Sequence, residues 1–172
     1  ALPISGFQRK GLKQAIDAIQ AVSKDIAIIV VGGDKNREKY INYARSQLGT
    51  GRAIFVGETR PDAYLASADA FILPTLYDPF PNSAMEAFAS GLPVLTTKQC
   101  GAAEIIKENQ NGYVFDFFNT SEQKRAIQQW LDCRSSWDDQ RSLARQTVSS
   151  MTIEETTGKM ITLYKELLAK EA

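Results

Sequence analysis

Apolar residues fall into two alternating patterns along the chain, and that alternation sets the fold class. Short runs that are apolar on both faces are separated by stretches with apolar residues at helical spacing, the pattern of parallel strands joined by crossover helices. Residues 26–31, Ile26-Ala27-Ile28-Ile29-Val30-Val31, are closed by Gly32-Gly33-Asp34 and predict a fully buried strand, because β-branched side chains dominate them. Residues 53–56, 70–73, 93–96 and 113–115 predict further strands, each bounded by Gly, Pro, Asn or Asp. Between them, Leu12, Ala15, Ile16, Ile19 and Val22 repeat at helical spacing, as do Tyr40, Ile41, Ala44 and Leu48 before the Gly49-Thr50-Gly51 break. A further helix is expected over 102–108. After Asn119 the strand pattern stops, and helices are predicted around 121–133, 137–149 and 153–170.

The expectation is therefore an α/β fold, a Rossmann-like parallel sheet flanked by helices, with a core over 4–118 and a helical C-terminal tail over 119–172. A chain of 172 residues suits one such domain. Only Leu2-Pro3-Ile4-Ser5 precedes the Gly6 turn, with a proline inside it, where such a sheet normally opens with a complete strand. The chain is accordingly expected to be cut from something longer.

Composition narrows the chemistry. With 20 basic and 20 acidic side chains the formal charge is zero, so broad electrostatic capture of nucleic acid or acidic lipid is not expected, and any phosphate binding has to be local. Cys100 and Cys133 form no C-x-x-C pair, which argues for a reducing, cytoplasmic setting. The sequence contains 0 histidines, which argues against a histidine-ligated metal and removes the commonest general base. No apolar run approaches the roughly 20 residues that span a bilayer.

In open parallel sheets, ligands collect beyond the carboxyl ends of the strands. Ser5-Gly6-Phe7-Gln8-Arg9-Lys10-Gly11 places two adjacent cations in a glycine-flanked turn ahead of a helix. Arg9 offers a planar fork, Lys10 a mobile point charge, and the helix its positive end, so the turn can hold a diphosphate; a solvated basic pair explains it as well. In Asp78-Pro79-Phe80-Pro81-Asn82-Ser83-Ala84-Met85-Glu86, Asp78 is expected in the loop, free to meet a sugar hydroxyl. Glu86 is expected in the first helical turn, able to accept from a ribose diol. The N–H groups of Asn82, Ser83 and Ala84 are candidate donors to phosphate or sugar oxygens. Ser83-x-x-Glu86 also reads as a capping box. Gly91-Leu92-Pro93-Val94 reads as architecture, while Val56-Gly57-Glu58 and Gly32-Gly33-Asp34 are strand-end turns that can border a base.

Taken in order, Arg9-Lys10-Gly11, Val31-Gly32-Gly33-Asp34, Phe55-Val56-Gly57, Ala68 through Pro74, Asp78 through Glu86, Gly91-Leu92-Pro93-Val94 and Asn111-Gly112-Tyr113-Val114 resemble the C-terminal, donor-binding half of retaining GT-B glycosyltransferases of the group 1, family 4 type. The Arg-Lys-Gly and Asp-Pro-Phe segments look most like bacterial transferases that add glucose to the lipopolysaccharide core. By that resemblance Arg9 and Lys10 match the cations on the donor diphosphate, with Gly6 in their turn, and Glu86 matches the ribose-binding glutamate of the E-x7-E motif. Asp78 stands where that motif begins with Glu, a methylene shorter, and Pro81 stands where glycine is common. Val56, Gly57 and Glu58 match the region beside the base.

The resemblance implies transfer from a nucleoside-diphosphate sugar, a UDP-hexose, with retained configuration and without cofactor or metal. It also implies a missing N-terminal, acceptor-binding domain and a glycan or lipid-linked acceptor. Nucleic acid is not an expected partner. The isolated domain is expected to bind nucleotide but not to complete transfer, and the full-length protein to be cytoplasmic or peripheral at the inner face of the membrane. The competing readings are a non-catalytic nucleotide-sugar-binding module, which has no need of Asp78, and half of a nucleotide-sugar 2-epimerase, which the lack of histidine disfavours. A dinucleotide oxidoreductase is disfavoured because no G-x-G-x-x-G follows the first strand, and a phosphorylase because no segment suggests a cofactor-bearing lysine.

Overall fold

A computed structural model describes residues 2–3 and 6–170. In chain order the elements are β1 (Leu2–Pro3), α1 (Leu12–Val22), β2 (Ile28–Val31), α2 (Arg37–Leu48), β3 (Ala53–Gly57), α3 (Asp62–Ala66), β4 (Phe71–Leu73) and α4 (Asn82–Ala89). There follow β5 (Val94–Thr97), a 3₁₀ turn (Gly101–Ile105), β6 (Gly112–Phe115), α5 (Thr120–Asp132), a second 3₁₀ turn (Arg134–Ser136), α6 (Trp137–Val148) and α7 (Ile153–Lys170). Every described strand pairing is parallel, in two ladders ordered β1-β2-β3 and β4-β5-β6, and β1 lies against β4. Strands β4 and β5 are buried at every position, as expected where helices cover both faces, while edge strand β3 leaves Ile54 about half exposed.

Three differences from the sequence reading go beyond a one-residue shift, each for a local reason. Strand β2 begins at Ile28 rather than Ile26, because the Arg52 guanidinium donates to the carbonyls of Ser23 and Ile26 and takes the place of a strand partner. The helix expected over 102–108 is only a 3₁₀ turn. Buried Asn111 explains the stop: its side chain accepts from the Lys107 N–H and donates to the Ile105 carbonyl, two groups a continuing helix would have paired internally. The short α3 has no counterpart in the sequence reading, since five residues are too few to display a helical period.

The core also runs past residue 118. Helix α5 packs on α1 and β6, and α6 packs on α4, so Ala126, Ile127, Trp130 and Ala144 join the buried cluster. Trp130 and Trp137 stack with ring centroids 4.8 Å apart. Helix α7 stands clear of this body, with Ile153, Leu163, Tyr164 and Leu168 all exposed. Among the described residues no helix is long and apolar enough to cross a membrane. Ile4, where the sequence reading starts the core, and Ser5, which opens its basic turn, lie outside the described residues.

Candidate functional site

The loops after β1, β2, β3 and β4 meet at the carboxyl ends of the strands. Between β1 and α1, the turn carrying Arg9 and Lys10 is closed by hydrogen bonds from Lys10 N–H to the Gly6 carbonyl and from Gly11 N–H to the Gln8 carbonyl. Gly11 has φ 73°, and a Cβ there would overlap the Pro74 carbonyl oxygen, so glycine lets the turn press directly on the loop after β4. Asp34, in the loop after β2, accepts from the N–H groups of Phe7 and Asn36 and fixes the turn from the other side.

The Lys10 ammonium is almost buried and donates to the equally buried Asp78 carboxylate. Arg9 is half exposed; its Nη1 donates to the Tyr77 carbonyl at 2.8 Å and lies 3.6 Å from Asp78. Asp78 is held by its backbone as well, its N–H donating to the Gln99 carbonyl and its carbonyl accepting from Gly101 N–H. Gly101 is required there, because a Cβ would overlap the Pro79 carbonyl oxygen. Asp78 is therefore not the free loop carboxylate expected from sequence. It is the fixed counter-ion of Lys10, and it does not line the cleft described next.

That cleft, about 390 Å³, is walled by Lys10, Gly32, Gly33, Glu58, Pro81, Asn82, Ser83 and Glu86, together with Val31 and Thr59. Glu58 lies over Gly33, so a Cβ at that glycine would push the carboxylate aside. Helix α4 presents its N-terminus to the cleft. Pro81, in extended conformation, is the residue before the helix, and the N–H groups of Asn82 and Ser83 have no acceptor among the described residues. Ala84 differs from the sequence expectation, since its N–H donates to the Pro81 carbonyl at 3.0 Å and its side chain is buried.

The capping box is not formed either. Ser83 is already the second residue of the helix and makes no cap hydrogen bond, and Glu86 falls in the second turn rather than the first. Its carboxylate is thus left to the cleft.

Of the sequence-predicted residues, Lys10, Glu58, Pro81, Asn82, Ser83 and Glu86 come together on one cleft. Arg9 braces the loop beside it, and Gly6, Val56, Gly57, Asp78 and Ala84 do not line it. Gly57 acts through the backbone, its carbonyl accepting from Gly32 N–H at 2.6 Å and so setting the spacing of two loops that flank the cleft. Sequence reasoning took Asp34 only as part of a turn and missed its anchoring of the basic loop. It did not single out Thr75, whose only signal was its place directly after a strand-ending proline. A larger surface cavity of about 720 Å³ between α1 and α2 contains none of the predicted residues. The smaller cleft is the better candidate because it joins a buried cation, a helix N-terminus and two carboxylates.

This arrangement can hold a ligand with an anionic part and a hydroxylated part. The ammonium of Lys10 and the free N–H groups of α4 suit phosphate oxygens, while Glu58 and Glu86 are acceptors for hydroxyl or ring N–H donors. Among the described residues, no group of three His, Cys, Asp or Glu side chains could hold a metal ion. Cys100, adjacent to the Asp78 loop, is buried, and burial pushes its thiol pKa up, away from the reactive thiolate.

Comparison with known proteins gives this cleft a context. The family profile described as "Glycosyl transferases group 1" matches residues 5–147. The lipopolysaccharide core biosynthesis glycosyltransferase LpsE of Rhizobium meliloti is 28% identical over 125 residues, covering 71% of this chain and 36% of that protein. The lipopolysaccharide glucosyltransferase WaaG of Escherichia coli is 30% identical over 114 residues, covering 64% of this chain and 30% of that protein. The chain thus spans about a third of the length of these relatives. The crystal structure of WaaG superposes with a TM-score of 0.73 at 28% identity, covering 87% of this chain and 42% of that one. HepE of Anabaena, solved in complex with UDP-glucose, shares the fold with a TM-score of 0.74 at 21% identity, over 98% of this chain and 48% of that one.

Proposed function

Since the chain belongs to the group 1 glycosyltransferases, we propose that it is the donor-binding half of a transferase that moves a hexose from a nucleoside diphosphate to a lipopolysaccharide or other glycan acceptor. The observation that carries this reading is the meeting of Lys10, the N-terminus of α4 and Glu86 on one cleft. In this reading the donor diphosphate lies against the Lys10 ammonium and the N–H groups of Asn82 and Ser83. The ribose diol donates to Glu86, and the base lies toward Glu58 and Gly33. UDP-glucose is the proposed donor, in keeping with the glucosyltransferase relative and with the ligand of the HepE structure.

Breaking the bond between the sugar and the diphosphate leaves negative charge on the departing phosphate oxygens. A cation and backbone dipoles that are already in place stabilise that charge more than the ground state, which is the condition for lowering the barrier. Lys10 is held ready by Asp78, so little reorganisation is needed when the charge develops. Configuration is retained and no metal takes part in this proposal. In this proposal the acceptor site and the groups on the reacting face of the sugar belong to an N-terminal domain, so this chain alone binds donor without transferring it, and the full-length protein is cytoplasmic or peripheral at the inner face of the membrane.

The test is calorimetric titration of the chain with UDP, GDP, ADP and UDP-glucose. Lys10→Ala is expected to weaken binding of the preferred nucleotide by about 10- to 100-fold, the loss of a charge-assisted hydrogen bond. Glu86→Gln, which keeps shape and loses charge, should weaken the whole nucleotide by about 5-fold and leave inorganic pyrophosphate unaffected. Equal weakening of nucleotide and pyrophosphate by Glu86→Gln would remove Glu86 from the ribose.

A further inference from the structure

Thr75 follows Pro74 at the end of β4 and is fully buried. Its hydroxyl lies 3.1 Å from the Arg9 carbonyl and 3.1 Å from the Tyr77 carbonyl, so one proton is shared between the two loops that carry Lys10 and Asp78. The Thr75 carbonyl in turn accepts from the buried Thr97 hydroxyl at 2.6 Å, at the end of neighbouring strand β5. A line of hydroxyls thus runs from β5 through Thr75 to the basic turn.

We propose that Thr75 is a positioning residue for diphosphate binding: its hydroxyl fixes the basic turn against the Tyr77-Asp78 segment and so sets where the Lys10 ammonium meets the cleft. This rests on the donor-site reading above. Thr75 itself touches no part of the cleft and acts only through Arg9 and Lys10. Other contacts keep the fold intact without it. The Arg9 carbonyl also accepts from Leu76 N–H at 2.8 Å, and the Tyr77 carbonyl also accepts from the Arg9 guanidinium, so neither is orphaned when the hydroxyl goes. What is lost is the one hydroxyl that engages both carbonyls at once, while the Leu76, Arg9 and Lys10 contacts still join the loops but leave the basic turn less closely fixed.

The experiment compares the wild-type chain with Thr75→Val, which preserves shape, Thr75→Ala, which cannot clash, and Thr75→Ser, which restores the hydroxyl. Binding is measured by NMR titration with whichever of UDP, GDP and ADP the wild-type chain prefers, and with the matching free nucleoside. Thr75→Val and Thr75→Ala are expected to weaken the diphosphate about 5-fold, the size of one net hydrogen bond, with nucleoside affinity unchanged and Thr75→Ser near wild type. If the diphosphate and the nucleoside weaken equally, or if diphosphate binding is unchanged, Thr75 is a structural residue and the proposal is overturned. A wild-type chain that binds none of the three nucleotides overturns the donor-site reading itself, an outcome distinct from the loss of the Thr75 effect alone.

Discussion

At the residue scale the decisive contact is the buried pair of Lys10 and Asp78, 68 positions apart in sequence. Removing one partner of such a pair leaves the other uncompensated, so Asp78→Ala is expected to destabilise the chain by about 3 kcal/mol, measured by denaturant unfolding. Asp78→Asn should cost less, because the amide oxygen can still accept from Lys10. Neither substitution should change the ratio of UDP to UDP-glucose affinity, since Asp78 faces the lysine; a shifted ratio would show that it reaches the sugar after all. Lys10, Glu58, Ser83 and Glu86 were legible in the sequence, because each lies just beyond a strand or near a helix start and their chemistry is local. The pairing of Asp78 was not legible, because it depends on how two distant loops pack. Nor did Ser83-x-x-Glu86 announce that the helix would start directly after Pro81 and free both side chains from capping.

At the element scale, buried strands and long helices were legible because their apolar periods are strong, whereas the 3₁₀ turn at Gly101–Ile105 depended on a side chain six positions from Ile105, that of Asn111. The start of α5 offers a test of local signals. The Asn119 side chain accepts from the N–H groups of Ser121 and Glu122, and the Glu122 carboxylate accepts from Asn119 and from the Asp116 N–H. Asn119→Ala is expected to cost about 1 kcal/mol in thermal or denaturant unfolding, because α5 carries Ala126, Ile127 and Trp130 into the core. The Asp116 N–H beside Glu122 holds its carboxyl below the usual carboxylate value. A lowered folded pKa means that this contribution is present above the unfolded value and fades as pH falls through the folded one. The pH dependence of unfolding in the acid range should therefore flatten in Glu122→Gln.

At the scale of the whole molecule, the order of the ladders matters more than any single strand. The cleft takes Lys10, Gly33 and Glu58 from the loops of β1, β2 and β3, and Asn82, Ser83 and Glu86 from the segment that follows β4. On the proposed donor-site reading, a nucleotide bound there would touch the loops of both triplets of strands at once. It then acts as a removable staple, raising stability by about 2.7 kcal/mol at a hundred times its Kd. The gain should not be spread evenly. Amide hydrogen exchange is expected to slow most in the backbone at the two edges the ligand joins, and hardly at all in α7, which stands apart from both. Local opening between the triplets and release of the nucleotide would then be one event seen by two methods, and the off-rate of the ligand would set the fastest rate at which the halves can part while it is bound.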